Sequence, residues 1–130
     1  MIIEINDAKT VKDLQDEFST RFPFLKLEFF HSPHMREEPT NETPCEPGQT
    51  IGQIRKRHVF GVIEIGPDRE TGSIEQEFES RFDLHVQIYR LQTGRWIQTV
   101  GTDILTLEQQ NKIARDAATH YNPNHTTGSK

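Results

Sequence analysis

Histidine and cysteine, with the acidic residues near them in sequence, are residue types of this 130-residue chain that could bind a metal ion. The candidates lie close together along the chain, at His31, His34, Cys45 and His58. Zinc sites use imidazole and thiolate ligands at short, regular spacings. These four residues follow no such spacing, and the segment between them is rich in proline. We therefore predict polar loop histidines, no metal site and no cofactor.

Cys45 is also the only candidate for a cysteine nucleophile. It lies between Pro44 and Glu46 in an acidic segment, and nearby carboxylates raise the pKa of a thiol and so disfavour the reactive thiolate. We interpret Cys45 as an exposed thiol without a catalytic role. A single cysteine cannot form an internal disulfide, which fits a reducing compartment.

Two glycine-containing segments, 46–53 and 66–73, precede predicted helix starts, where anions can bind. Neither segment has the glycine spacing of a P-loop or of a dinucleotide-binding turn. We predict ordinary turns followed by helix caps in both places.

Aromatic residues and arginines flank a predicted hairpin turn at Gly94. On one sheet face they could stack on the bases of RNA or single-stranded DNA. They equally suit a protein interface, where aromatic residues and Arg are enriched, and the alternative is burial inside the fold. The candidate partner-binding residues are Phe30, Tyr89, Arg90, Arg95 and Trp96.

The sequence pattern of the elements that must position these residues occurs twice in the chain. EFSTRF at 17–22 and EFESRF at 77–82 share four of six letters, and IIEI at 2–5 resembles VIEI at 62–65. Seven of 21 positions are identical between 2–22 and 62–82, where about one or two are expected by chance. We predict two tandem repeats, at about 1–58 and 59–118, related by a pseudo-twofold axis.

Each repeat has the same order of elements. A β-branched run predicts a first strand, at 2–5 and again at 59–65. Apolar residues at spacings of three and four then predict an amphipathic helix, with Phe18 and Phe22 matching Phe78 and Phe82. An alternating strand follows, beginning at Leu25 and again at Leu84. Within each hexapeptide, Glu and Arg four residues apart predict a surface ion pair.

Four capping boxes predict four helix starts, because each places Ser or Thr three residues before Asp or Gln. They are TVKD at 10–13, TIGQ at 50–53, SIEQ at 73–76 and TLEQ at 106–109.

Two segments lack an apolar pattern. Residues 31–49 hold four prolines among acidic residues and predict a long exposed loop, with a ragged edge strand near 34–37. Residues 121–130 predict a flexible tail. One domain over 1–120 is therefore expected.

The runs LHVQIYRLQTGRWIQTVGTDILTLEQQN at 84–111 and FPFLKLEFFHSPH at 22–34 resemble segments of small bacterial proteins of unknown function. The resemblance implies a bacterial cytoplasmic protein and assigns no site residue. The lack of a signal sequence or of a long apolar run agrees with a cytoplasmic location.

The sequence therefore predicts an α+β domain of two βαβ(β)α repeats, with a mixed sheet and helices mainly on one of its faces. The preferred function is a non-catalytic protein-interaction module or adaptor, whose partner could be a second copy of the chain. The alternatives are an RNA- or single-stranded-DNA-binding protein using the hairpin face, and a small enzyme whose site is assembled only by the fold. A net charge of −5 disfavours nonspecific binding to nucleic acid or an anionic membrane.

Overall fold

The computed structural model describes residues 1–31 and 43–120, and their fold is α+β, as predicted. The predicted tail at 121–130 and the predicted edge strand at 34–37 lie outside the described residues. The elements in chain order are β1 (Ile2–Ile5), α1 (Val11–Arg21), β2 (Leu25–Phe30), α2 (Ile51–Ile54), β3 (Gly61–Glu64), α3 (Thr71–Phe82), β4 (His85–Gln92), β5 (Arg95–Gln98) and α4 (Leu107–His120).

The strands form two antiparallel sheets in place of the predicted single mixed sheet. β1 pairs with β3, and β2, β4 and β5 form a three-stranded sheet in the order β2-β4-β5. The mixed sheet was expected because a helix between two strands permits a parallel crossover. The structure instead sends the strands on either side of α1 into different sheets, and each pairs with a strand from the other half of the chain.

The register of both ladders brings matching residues of the two halves together. Ile3 lies opposite Ile63 in the first ladder, and Glu28 lies opposite Gln87 in the second. These are the residues that the repeat alignment makes equivalent, so each ladder pairs a segment with its own counterpart. The origin of the two halves by duplication stays a prediction.

The apolar residues of both halves belong to one core cluster. Phe18, Phe22, Phe78 and Phe82 are all buried, as the hexapeptide pattern predicts. The ring of Phe78 meets that of Phe29 edge-on, with centroids 6.1 Å apart. Full burial of side chains of this size contributes about 2–3 kcal/mol each.

Three of the four predicted capping boxes are present. The hydroxyls of Thr10, Thr50 and Thr106 each accept a hydrogen bond from the N–H three residues on, and the backbone N–H of each Thr donates to the side chain of that same residue. The box predicted at Ser73 is wrong, because α3 begins at Thr71 and places Ser73 inside the helix.

Backbone groups of neighbouring helix starts satisfy one another. α3 lacks a side-chain cap because Glu70 occupies its N-cap position and the Glu70 side chain makes no capping bond. The N–H groups of Thr71 and Gly72 donate to the carbonyls of Leu105 and Asp103. The other helix starts use the same arrangement, α1 with the loop before α2, α2 with the loop before α1, and α4 with the loop before α3. The segments 46–53 and 66–73 are thus turns leading into helix starts. The predicted side-chain cap follows the turn in the first segment and is missing in the second.

The ion pair predicted within each hexapeptide forms in one half only. Glu77 pairs with Arg81 and also with Arg69, at 2.6 Å from the latter. Glu17 pairs with Lys9 at 2.8 Å, and the guanidinium of Arg21 lies over the ring of Phe22. The ion pair that both halves share is therefore the one between the helix glutamate and a cation of the loop before the helix, Lys9 or Arg69. A comparison limited to the two hexapeptides does not include these cations.

The described end of the predicted exposed loop is part of the packed structure. The N–H of Cys45 donates to the carbonyl of Phe29 at 2.6 Å, and the carbonyls of Pro47 and Gln49 accept from the first turn of α1. The segment is held because it closes the outer edge of β2 and caps α1. None of the helices in residues 1–31 and 43–120 is long and apolar enough to cross a membrane.

Candidate functional site

The hairpin residues predicted to form one surface lie on opposite faces of the three-stranded sheet. Tyr89 and Trp96 lie on the outer face, whereas strand alternation puts Arg90 and Arg95 on the other. The guanidinium of Arg90 donates to the side-chain oxygens of Gln110 at 2.6 Å and Gln92 at 2.9 Å. Arg90 therefore ties α4 to the sheet, and a single binding face built from all four residues does not form.

Phe30 lies inside the fold and not on its surface. It is 4% exposed, and its ring packs against that of His85 with centroids 5.8 Å apart. Its position at the end of β2, where Pro44 bridges to it, explains this burial.

The two outer-face aromatic residues surround a lysine of the neighbouring strand. The ammonium of Lys26 lies 4.9 Å from the ring centre of Trp96 and 5.6 Å from that of Tyr89. Lys26 also pairs with Glu28 at 3.2 Å. Such a cation–π contact contributes about 0.5–1 kcal/mol at an exposed site, so the aromatic pair already has an internal partner.

Exposed apolar residues are concentrated on the two-stranded sheet, in a part of the molecule that the sequence analysis did not select. Ile2 is 63% exposed, Phe60 is 66% exposed and Val62 is 51% exposed. Val59, beside Phe60, is also exposed. We call Ile2, Val59, Phe60 and Val62 the apolar face.

Strand alternation explains why this face exists. Ile3 and Ile5 on β1, with Ile63 on β3, point inward and are fully buried. Ile2 and Val62 point the other way because successive side chains alternate. In an antiparallel sheet with one face in water, the strands usually carry polar residues on that face. On their outer faces IIEI and VIEI carry polar residues only at Glu4 and Glu64. The sequence signal for this face was that Ile2 and Val62 are apolar although they alternate with the core residues Ile3 and Ile63.

The outer edge of β1 is open beside the apolar face. The N–H and C=O of Met1 bond to Ile65, so the residues facing β3 are the odd-numbered ones. The backbone groups of Ile2 and Glu4 therefore point to the other edge, where no partner occurs among the described residues. An open edge of this kind can pair with another chain.

The basic run at 55–58 is divided between the interior and the surface. The guanidinium of Arg55 is buried and donates to the carboxylate of Asp7 at 2.9 Å and to the carbonyls of Val59 and Phe82. Lys56, Arg57 and His58 are exposed and precede the apolar face. Although burial acts to raise the pKa of Asp7, hydrogen bonds from His58 and Arg55 hold that pKa below its ordinary value.

An acidic groove of about 530 Å³ lies between α3 and β4, and it bears on the enzyme alternative. Burial raises the pKa of Glu75 within it, a feature that marks many active sites. However, the carboxylate of Glu75 accepts the N–H of Ile88 at 2.7 Å, on the edge of β4 beyond the end of β5. Covering this strand edge accounts for the position of Glu75 without a substrate.

Cys45 is buried, and its prediction as an exposed thiol is wrong. It packs in the core, and burial raises the pKa of its thiol to about 11. Within residues 1–31 and 43–120, no group of three His, Cys, Asp or Glu side chains is placed to hold a metal ion; His34 lies outside these residues. No family model, curated protein or solved structure matches this chain.

Proposed function

We propose that the protein is a non-catalytic interaction module that binds a protein partner through the apolar face of its two-stranded sheet. The observation that carries the proposal is the exposure of Ile2 on β1, Val62 on β3 and Phe60 in the segment leading into β3. Ile2 and Val62 lie diagonally across the ladder, opposite Glu64 and Glu4. Large apolar side chains gathered on one exposed sheet face mark interaction sites more often than scattered ones do.

The surroundings of the apolar face support a protein partner over a lipid or nucleic acid. Glu4 and Glu64 lie among the apolar residues on the outer side of the sheet. Carboxylates within the contact area oppose binding to anionic membrane or phosphate backbone. Apolar centre, mixed charges and an open strand edge together resemble the surface that a protein partner covers.

The proposal is tested with a photo-crosslinking residue placed at Phe60, and in a control protein at Ile104. Ile104 is 74% exposed, against 66% for Phe60, and lies in the segment between β5 and α4. We expect the Phe60 protein to form specific crosslinked products in its native cell, and Val62→Lys to abolish them without changing the thermal midpoint. Identical products from both positions would rule out the apolar face.

Light scattering on the purified protein then identifies one class of partner. If the partner is a second copy of the chain, the mass doubles with concentration and Val62→Lys restores the monomer, whereas Ile104→Lys does not. A monomer at all concentrations, with crosslinks to another protein, identifies an adaptor for a different chain.

Nucleic-acid binding is a second candidate because Tyr89 and Trp96 lie together on the outer sheet face. Lys26 is the one Lys or Arg among the outward-facing residues of β2, β4 and β5, and it is paired with Glu28. Trp96 is the only tryptophan, so its fluorescence reports base stacking directly. We expect no salt-sensitive quenching by oligo-uridine or oligo-thymidine; such quenching, lost in Lys26→Gln, would favour this second function.

A further inference from the structure

A basic crevice of about 330 Å³ lies between the C-terminal end of α1 and the first turns of α4. Its wall includes Phe22, and its polar lining is Arg21, Glu108, Asn111, Lys112 and Arg115. Three cationic side chains thus meet one carboxylate, in a chain whose net charge is −5. This concentration of positive charge is not part of the apolar face.

The matching position in the other half is filled by Arg55. α2 begins with hydrogen bonds from Ile51 and Gly52 to the carbonyls of Lys9 and Asp7. α4 begins in the same way, from Leu107 and Glu108 to Arg69 and Pro67. Four residues beyond Ile51 is Arg55, and four residues beyond Leu107 is Asn111, so Arg55 and Asp7 correspond to Asn111 and Pro67.

This exchange explains why the crevice is open. In the first position the buried guanidinium of Arg55 fills the space and is neutralised by Asp7. In the second, the shorter Asn111 cannot fill the space, and Pro67 supplies no charge. The side-chain oxygen of Asn111 accepts the N–H of Phe24 at 3.1 Å, which leaves its NH₂ group to donate.

The cations around the crevice are suited to an oxyanion. The guanidinium of Arg21 stacks on the Phe22 ring at 4.8 Å, and no carboxylate among the described residues pairs with it. Guanidinium groups bind phosphate and carboxylate through paired hydrogen bonds. Asp116 pairs with Lys112 at 2.7 Å and lies 4.0 Å from Arg115, so Arg21 carries most of the uncompensated charge.

We propose that this crevice binds a small ligand through a phosphate or carboxylate group, held by Arg21, Arg115 and Lys112 with the amide of Asn111. The site is independent of the protein partner proposed above, since the two surfaces share no residue.

The test is an NMR titration of the full chain with sodium phosphate and, separately, with sodium succinate, each against sodium chloride at equal ionic strength. We expect saturable shifts of the amides of 21–24 and 107–116 with at least one oxyanion. Arg21→Gln with Arg115→Gln should weaken binding about tenfold or more, the loss of at least one charge-assisted contact. Arg81→Gln, the matching arginine of the other half, should leave it unchanged.

A second variant recreates the filled crevice. Pro67→Asp with Asn111→Arg supplies the guanidinium and carboxylate that the first half already has, and we expect it to abolish the saturable shifts. Saturation with phosphate alone or succinate alone assigns the ligand class. Linear shifts identical to those of chloride, or saturable binding that survives the Arg21→Gln and Arg115→Gln changes, would overturn the proposal.

Discussion

Arg55 shows how a single side chain can join parts of the chain that are far apart in sequence. Its guanidinium reaches Asp7 before α1, Val59 before β3 and Phe82 at the end of α3. A buried cation is costly unless each donor finds an acceptor. The basic run RKRH gives no sign of this, because sequence spacing alone does not distinguish a buried arginine from a solvated one.

We predict that Arg55→Lys lowers the free energy of unfolding by about 2–3 kcal/mol, because the shorter cation cannot bond to all three acceptors. Urea unfolding followed by circular dichroism measures this loss. Lys56→Gln, at the exposed neighbouring position, should stay within about 0.5 kcal/mol of the parent. Equal losses in the two variants would contradict the role given to Arg55.

Glu75 should make stability depend on pH in the direction opposite to most carboxyl groups. Its pKa is raised in the folded protein by burial, so the folded state holds the proton at pH values where the unfolded chain has lost it. Stability from this group is therefore greatest below the ordinary pKa of 4.5 and is lost as the pH rises through the folded value.

We predict that Glu75→Gln raises the free energy of unfolding at pH 7 by up to about 1 kcal/mol, because it removes the cost of a partly buried charge. The gain should disappear at pH 4. Urea unfolding at both pH values tests this, with Glu4→Gln as an exposed control. A loss of stability at pH 7 would show that the charged bond to Ile88 outweighs burial.

At the scale of elements, a capping box in the sequence predicts that a helix is present, but the fold determines the residue at which the helix begins. Thr10, Thr50 and Thr106 cap helices, whereas Ser73, in an identical sequence pattern, lies inside α3. The difference arises because Glu70 occupies the N-cap position of α3, so the helix begins two residues before Ser73. A capping box in the sequence therefore predicts the presence of a helix more reliably than it predicts the residue at which that helix begins.

We predict that Thr50→Ala and Thr106→Ala each lower the free energy of unfolding by about 1 kcal/mol. Ser73→Ala should change it by less than about 0.5 kcal/mol, since Ser73 only receives an exposed bond from Arg69. Chemical unfolding of the three variants under one condition measures the contrast. A Ser73→Ala loss as large as the other two would show that Ser73 has a capping role.

Local patterns predicted the elements, and contacts between distant segments determined the rest. β1 matches its predicted bounds, and the hairpin turns at Thr93 and at Gly94, the glycine predicted from sequence, both with positive φ. The pairing of strands was not predictable, because alternation of apolar and polar residues along a strand does not say which other strand lies beside it. The apolar face was not predictable from sequence because Ile2 and Val62 resemble ordinary strand residues until one sheet face is known to be exposed.

At the scale of the whole molecule, the matched contacts make each half depend on the other. Each sheet contains strands from both halves, and the ring of Phe78 from the second half packs on Phe29 from the first. Neither half therefore has a complete sheet or core of its own. A protein built this way should unfold in one cooperative transition.

We predict that Phe18→Ala in the first half and Phe78→Ala in the second each cost about 3–5 kcal/mol, as expected for a buried aromatic side chain. Trp96 is the only tryptophan and lies on β5 in the second half, so its fluorescence reports on the sheet at that strand. Because the halves share one core, Phe18→Ala should move the Trp96 transition in urea as far as Phe78→Ala does.

Circular dichroism of the same samples follows the helices of both halves. In each variant its midpoint should coincide with that of Trp96 fluorescence, because no state with one folded half is stable. Ile113→Ala, a partly exposed position on α4, controls for generic loss of apolar surface. A Trp96 midpoint that stays at the parent value in Phe18→Ala, while circular dichroism shifts, would mean that the second half folds without the first. The paired ladders would then be a docking contact between two separate units, and the core would have to be divided between them.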